Sequence, residues 1–585
     1  MADLSAPLAP PSGPAKRHLL TIAVEDYFQV VAFRKLIEPS QWYRFERRVE
    51  RNTRKALDLL DEFGVKATFF TLGWVADEMP EVVREIAARG HEVASKGYYH
   101  RTIQEMTPSE FREDLRRSRE AIERATGIRV VGYRVARGHL GPTDLWALDV
   151  LAEEGFAYDS SFYPRLRSIA DEPWRRFPFE HHHGSAMIRE FPLATFGWRG
   201  WLLPIAGGAY LRQLPHSFMS RALDHWHRRY TSPLVMYFHV WELDPELPEI
   251  TAAPWHARLR QYRNLARMPS ILRFYLARYA FEPIRDHMGL AAEPAVPRAV
   301  EARESSASVT ASGRAAVKRM PVTLVIPCFN EESVLPYLQN TLRRVASDLG
   351  STYDLRYVFV DDGSSDGTWL ALEKTFGSLP QCQLVRHDEN RGVAAAILTG
   401  IRSAGTEIVC SIDCDCTYDP HQLCDLIPRL EEDVALVTAS PYHPSGRVLN
   451  VPPWRLLLSK GLSALYRCVF HQKLHTYTSC FRVYRRSLVQ DLSIREGGFL
   501  GVAEMLGVLD LQGKRIVEQP AVLEVRLLGH SKMKLLHTIR GHIHLLCRMA
   551  AARWGPVRLR LGSHALAASH GLAEKGKVAA RAPAP

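Results

Sequence analysis

Short apolar runs rich in β-branched and aromatic residues recur along this chain. Each is separated from the next by a stretch patterned for a helix. HLLTIAV, KATFF and LVMYFHV stand in the first half, and TLVIP, LRYVFVDDG, CQLVRH and EIVCSID in the second. Runs without polar alternation are buried on both faces, and helical crossovers between them make the strands parallel. TRKALDLLDEFG and PSEFREDLRRSREAIERATG carry the helical period. The pattern predicts α/β architecture throughout, as a parallel sheet or barrel in each half.

The alternation breaks once. Residues 291–319, AAEPAVPRAVEARESSASVTASGRAAVKR, lack aromatics and periodicity and read as a flexible linker. This divides the 585 residues into a domain at 18–290 and another at 320–550, with a Pro/Ala/Ser-rich, disordered N-terminus at 1–17 and a basic tail at 551–585. No run of 18 apolar residues predicts a spanning helix, and the first residues have no signal-peptide pattern. The expected compartment is therefore the cytoplasm. The net charge of +11 suits phosphorylated substrates or an anionic membrane. No zinc finger, RNA-binding signature or heptad array points to nucleic acid. All nine cysteines follow residue 327, and Cys410, Cys414 and Cys416 lack a second Cys/His group at zinc spacing. They are expected as reduced thiols packed in a core.

In the second half, strands end in acids. VFVDDGSSDGT places Asp361 and Asp362 past one strand, and CSIDCDCTYDP places Asp413 and Asp415 past another. Ligands of open α/β sheets sit at the carboxyl ends of strands. Two carboxylates two residues apart can hold one hard divalent cation, which would neutralise a departing diphosphate.

The order IPCFNEE, VDDGSSDGT, NRGVAAAILTG, DCD resembles glycosyltransferase family 2, and more narrowly the dolichyl-phosphate-mannose synthase type, over residues 320–550. The resemblance implies a Rossmann-like (GT-A) nucleotide-sugar fold, Mg2+ or Mn2+, and inversion at the anomeric carbon. By position it implies that Pro327, Phe329 and Glu331 contact the nucleotide and that Val360 and Asp362 hold its base. Asp413, Cys414 and Asp415 form the metal and diphosphate motif. Arg526 and Lys532 in RLLGHSK grip phosphate, and Glu504 lies near the acceptor.

Two positions depart from the family. Its arginine falls on Pro441, with His443 or Arg447 as substitutes, and an aspartate falls on Thr476, although Thr478, Ser479 and Arg482 remain. Loss of the arginine removes one charge-assisted phosphate partner. SKGLSALYRCVF and SKMKLLHTIRGHIHLLCRM are basic and amphipathic, as core-facing helices or as helices lying on the inner face of a plasma membrane. From there a polyprenyl phosphate acceptor is reachable, and a saccharide acceptor is the alternative.

The first half holds TIAVEDYFQV, RGHEVASKGYYH, GYRVARG and MYFHVWELD: an acidic strand end, a histidine corner, an arginine turn and a late histidine. These pieces resemble the polysaccharide deacetylase family (NodB homology, carbohydrate esterase family 4) over about 18–290. The resemblance implies a distorted (β/α) barrel that binds Zn2+ or another divalent ion and removes N-acetyl groups. It requires an aspartate base, an acidic ligand, two histidine ligands and an acid histidine. The base falls on Ala23, the acidic ligand on Glu25 or Asp26, the histidine ligands on Lys96 and His100, the steadying arginine on Arg134, and the acid on His239.

A methyl takes no proton, and loss of a general base lowers rate by about two to four orders of magnitude. A charged lysine has no lone pair for a metal. The sequence therefore predicts a deacetylase-like module without catalysis, its Zn2+ in doubt, with the Lys96 ammonium standing in for the metal beside Glu25 or Asp26 and His100. The HHH run at 181–183 is expected as a loop with no metal role. The leading expectation is a glycosyltransferase of envelope polysaccharide synthesis fused to this module. A bifunctional enzyme and a non-catalytic glycan-binding scaffold are the alternatives.

Overall fold

The computed structural model describes residues 16–136, 140, 142–164, 173–198, 201–295, 319–529 and 535–554. Most of the expected N-terminal segment, linker and tail lie outside these residues. The chain divides into two compact units, one built mainly from residues before 318 and one mainly from residues after it.

The first unit carries strands β1 (Arg17–Val24), β2 (Thr68–Thr71), β3 (Glu92–Ser95), β4 (Gly132–Tyr133), β5 (Tyr158–Asp159), β6 (Phe179–His183), β7 (Ala186–Glu190), the hairpin β8 (Thr195–Trp198) and β9 (Trp201–Pro204), β10 (Val235–His239) and β11 (Ala280–Glu282). The main sheet runs β10-β1-β2-β3-β4-β5-β7-β6, with β11 also on β1. Every pairing along it is parallel except β6 with β7. After the exposed Arg17, all of β1 is buried, as is all of β2, which is why both read as unbroken apolar runs. The strand path stays open between β10 and β6 among the described residues, so the barrel is distorted. Parallel order gathers the carboxyl ends of β1, β3, β4 and β10 at one edge, and register sets Ala23 between His239 and Phe70.

Two helices show how local signals and distant groups share control. Thr107 and Glu110 form a capping box at the start of Pro108–Thr126, and Gly127 ends that helix at φ 71°. The helix read from TRKALDLLDEFG starts earlier, at Val49. Its cap comes from far away: Asp26 Oδ2 accepts from the backbone N–H of Arg48 at 2.7 Å and of Val49 at 3.1 Å. The HHH run is a strand, not a loop. β6 pairs with β7, and His181 and His183, two residues apart on one face, both reach Asp149 Oδ1, at 2.8 and 3.0 Å.

The second unit holds β12 (Met320–Cys328), β13 (Tyr353–Asp361), β14 (Cys382–Arg386), β15 (Ile408–Ser411), β16 (Val434–Ser440), β17 (Arg447–Val448), β18 (Arg482–Arg485), β19 (Arg515–Pro520) and β20 (Val522–Leu523). The main sheet runs β14-β13-β12-β15-β18-β16-β19, with β18 antiparallel to both neighbours. Strand order reverses at β12, between β13 and β15, which is where an open α/β sheet leaves a crevice for a ligand. All nine cysteines are free thiols. Cys328, Cys410, Cys414, Cys416 and Cys480 are buried as expected, whereas Cys424, Cys468 and Cys547 lie exposed on outward helix faces.

Burial raises the Asp26 carboxyl to about 6, against the pull of the backbone N–H groups it accepts from. A raised carboxyl contributes stability below its unfolded value and loses it as pH rises through the folded value. Asp26→Asn is therefore expected to gain on the wild type by about 3 kcal/mol between pH 4 and 7. Urea unfolding across that range checks the sign; a difference that stays flat, or moves the other way, contradicts it.

Candidate functional site

In the first unit the gathered strand ends form a buried charge cluster. Lys96 Nζ, just past β3, donates to Glu25 Oε2, just past β1. The same carboxylate oxygen lies 2.8 Å from His100 Nε2, and Lys96 Nζ lies 3.1 Å from that nitrogen. His239 Nε2 stands 3.5 Å from Glu25 Oε1. Burial alone would raise Glu25, but Lys96 and His100 hold it well below the usual carboxylate range. Burial lowers Lys96 and His100, with Glu25 opposing in each case. His100 takes φ 57°, a left-handed conformation uncommon for a side-chain-bearing residue.

Glu25 is thus the acid of the cluster, and Asp26 turns away to cap a helix. The ammonium sits among the acceptors a Zn2+ would need. This donor set does not fit a metal while Lys96 is charged. Among the described residues no three His, Cys, Asp or Glu side chains gather as a metal centre.

Sequence reasoning missed Glu242. It accepts from the His239 backbone N–H at 2.9 Å and sits 3.2 Å from His239 Nδ1, which fixes the ring. Arg212, fully buried with it, donates to its Oε1 at 2.9 Å. Burial pulls Glu242 up, yet Arg212 and His239 hold it at about 2. The signal was a histidine and a glutamate three apart in HVWELD. Two cavities flank the cluster. One of about 280 Å³ borders His100, and one of about 160 Å³ borders Ala23, Lys96, Arg134 and His239.

In the second unit Asp413 and Asp415 lie half-buried on the turn after β15. Cys416 closes that turn at φ 52°, its N–H donating to the Asp413 carbonyl at 3.1 Å, and Thr417 N–H donates to Asp415 Oδ1 at 3.0 Å. Burial and the neighbouring Asp413 push the Cys480 thiol well above its ordinary value. Cys414, between the two aspartates, is buried 3.7 Å from the Cys328 sulfur on β12. Two carboxylates are the donor type that Mg2+ and Mn2+ prefer, with substrate phosphate oxygens completing the shell.

Pro327, Phe329 and Glu331 follow one another along the end of β12, and Glu331 N–H donates to Thr368 Oγ1 at 2.8 Å. Other expected contacts are engaged elsewhere. Val360 has no exposed surface and packs in the hydrophobic core. Asp362 Oδ1 meets His387 Nδ1 at 2.7 Å and Arg391 N–H at 2.9 Å, while its Oδ2 accepts from Gly392 N–H at 2.8 Å. Asp362 holds the 387–392 loop. That loop packs closely: a Cβ on Gly363 would stand 2.5 Å from the Glu389 carbonyl carbon, and one on Gly392 2.5 Å from that of Gly497.

Glu504 is buried too. Its Oε2 accepts from Arg495 and Glu496 N–H at 3.0 and 2.9 Å, and its Oε1 from Arg548 at 2.6 Å. It positions the 495–498 loop. Arg526 Nε donates to the Leu528 carbonyl at 2.8 Å, and Lys532 lies outside the described residues.

At the departures, Thr476 Oγ1 pairs with Ser440 Oγ at 2.9 Å, and Glu518 Oε1 accepts from Thr476 N–H at 2.9 Å. Glu518 Oε2 also meets His475 Nδ1 at 2.9 Å, and the His443 ring stands 5.2 Å from that of His475. This acid and histidine pair beside Thr476 was not read from the sequence, because 43 residues separate Glu518 from His475.

Three protein-family models match the chain: Polysaccharide deacetylase over residues 35–156, a Domain of unknown function (DUF3473) over 160–289, and Glycosyl transferase family 2 over 323–493. Both resemblances drawn from the motifs are borne out. The dolichol-phosphate mannosyltransferase of Pyrococcus furiosus is 27% identical over 219 residues, which is 37% of this chain and 60% of that protein. The undecaprenyl-phosphate mannosyltransferase of Micrococcus luteus is 29% identical over 252 residues, 42% of this chain and 100% of that protein. A family 4 carbohydrate esterase from Streptomyces lividans, solved with acetate, shares 14% identity over 48% of this chain and 98% of its own, with a TM-score of 0.26.

Breaking a buried pair is costlier than replacing it. Glu25→Gln is expected to lose about 3–5 kcal/mol of stability, and Glu25→Gln with Lys96→Met to recover most of that. Denaturant unfolding of the three proteins checks this. A single variant as stable as the wild type would contradict the buried pair.

Proposed function

We propose that this chain, which carries a glycosyl transferase family 2 domain and a polysaccharide deacetylase domain, moves a sugar from a nucleotide donor to a polyprenyl phosphate at a membrane surface. The observation that carries this reading is the Asp413/Asp415 turn at the carboxyl end of β15, beside the strand-order reversal at β12. The relatives' names, both mannosyltransferases acting on polyprenyl phosphates, support the acceptor class. A divalent cation, Mg2+ or Mn2+, held by Asp413 and Asp415 would neutralise the departing diphosphate. Pro327, Phe329 and Glu331, at and just past the end of β12, would contact the nucleotide.

A phosphate monoester acceptor, with a second pKa of about 6, is already an oxyanion near neutrality and needs no general base. That agrees with Asp362 and Glu504 being engaged in holding loops. Attack on the face opposite the leaving diphosphate inverts the anomeric carbon.

A membrane-facing surface supports a lipid acceptor. The helix Pro453–Val469 exposes Trp454, Leu457, Leu458 and Leu465 beside Arg455, Lys460 and Arg467. The helix Leu535–Trp554 exposes Ile539, Ile543 and Trp554. Tyr466 and His542, buried and 2.7 Å apart, join the two. Leu457 is 73% exposed, which suits insertion among headgroups better than a solvated face. Among the described residues no helix is long and apolar enough to cross a membrane. The arrangement suits peripheral docking on an inner leaflet.

The N-terminal module, on this reading, has lost hydrolysis. Ala23 offers no base, and Lys96 occupies the place of the metal.

Asp415→Ala is expected to abolish transfer of radiolabelled sugar to polyprenyl phosphate, and transfer at the wild-type rate would overturn the metal assignment. Trp454→Ala with Leu457→Ala is expected to reduce sedimentation with anionic vesicles and leave transfer to a short, water-soluble polyprenyl phosphate intact. The unmodified protein is expected to release no acetate from N-acetylated glycans, with or without added Zn2+. Acetate release would restore the bifunctional alternative.

A further inference from the structure

The cavity beside Ala23 is cationic. Its lining includes Lys96, Arg134, His239 and Arg260, and no carboxylate is among the described residues that line it. Lys96 is balanced by Glu25, and His239 by Glu242 and Glu25. Arg134 is different. It is only 6% exposed, and its three placed hydrogen bonds all go to neutral oxygens. Nε donates to the Ser160 carbonyl at 2.8 Å, Nη1 to Thr21 Oγ1 at 2.7 Å and Nη2 to Ser160 Oγ at 2.7 Å. Those hydroxyls send their own protons elsewhere, to Met236 and Phe191 carbonyls.

Arginine has five N–H donors, so two remain. The nearest acids, Asp159 and Glu190, are engaged with Ser161 and with Phe162 N–H. Burial and the adjacent Asp159 push Glu190 far above its usual range, and both acids act on Arg134 through space without a hydrogen bond to it, while its guanidinium lies 4.3 Å from the Phe70 ring centroid. Burial lowers Arg134 itself to about 10, as befits a guanidinium without a carboxylate on it. A buried cation lacking a hydrogen-bonded anion at the wall of an open cavity is costly unless a ligand supplies one.

The rest of the cavity describes that ligand. Arg260 is exposed at the rim and adds a second positive charge. Tyr210 and Tyr237 give aromatic walls, and Tyr163 OH donates to Tyr210 OH at 3.0 Å. A volume of about 160 Å³ is on the scale of one sugar unit.

We propose that this cavity binds a monosaccharide unit bearing an anionic group, with the carboxylate or phosphate seated on Arg134 and the sugar ring against Tyr237. The proposal rests on the reading that the N-terminal pocket no longer hydrolyses amides. It assigns the remaining pocket to recognition of an acidic sugar, as a free residue or a unit of a growing saccharide.

Titration calorimetry on the full chain, with glucuronate, glucose 6-phosphate, glucose and N-acetylglucosamine, tests it. An anionic sugar is expected to bind at least about tenfold more tightly than either neutral one. The tighter of the two anions identifies carboxylate or phosphate as the source. Ala23→Asp places an internal carboxylate in the same cavity as Arg134 and is expected to weaken the anion by about tenfold or more, and neutral sugars by far less. Arg260→Glu, at an exposed position, is expected to weaken it in the same direction and decides the matter if Ala23→Asp does not fold. Equal binding of glucose and glucuronate, or anion binding untouched by a folded variant, overturns the proposal. Acetate release in the same mixtures would instead overturn the non-hydrolytic reading, leaving anion selectivity to be judged by the binding data alone.

Discussion

One ammonium buried against one carboxylate sets the electrostatics of the first unit. Lys96 and Glu25 come from the ends of β3 and β1, and neither tolerates burial alone. Beside the pair sits His100, its pKa lowered by burial, and Glu242 holds His239. Remove the lysine and the acid has no counter-charge; remove the acid and the cation is stranded.

The second unit applies the opposite economy to its acids. Asp362 and Glu504 accept from backbone N–H groups of loops that have no regular ladder to satisfy them. Such groups fix loop shape because an unpaired buried N–H is expensive. Asp413 and Asp415 stand on a tight turn and remain half-buried. Burial therefore separates the acids that fix loops from the two on the turn after β15.

Much of this was legible in order along the chain. HLLTIAV became β1 and TLVIP became part of β12, because strands of a parallel sheet are buried on both faces and cannot hide their composition. The helix Pro108–Thr126 announced itself through Thr107, Glu110 and Gly127, all local. The site residues were legible as types, and Lys96 falls beside Glu25 and His100. What could not be read depended on partners distant in sequence. Asp26 rather than Glu25 capping Val49, Glu518 joining His475, and Arg548 reaching Glu504 are matters of which donor meets which acceptor after folding. The polar run His181–His183 became a strand for the same reason, since pairing with β7 outweighed its composition.

The neighbourhood of Ala23 and Lys96 has a consequence for engineering. A histidine at 96 alone would strip Glu25 of its ammonium partner. An aspartate at 23 alone would add a second carboxylate to the same strand end. Either change by itself leaves a buried charge unmatched, so the two positions act as one design unit and are best altered together.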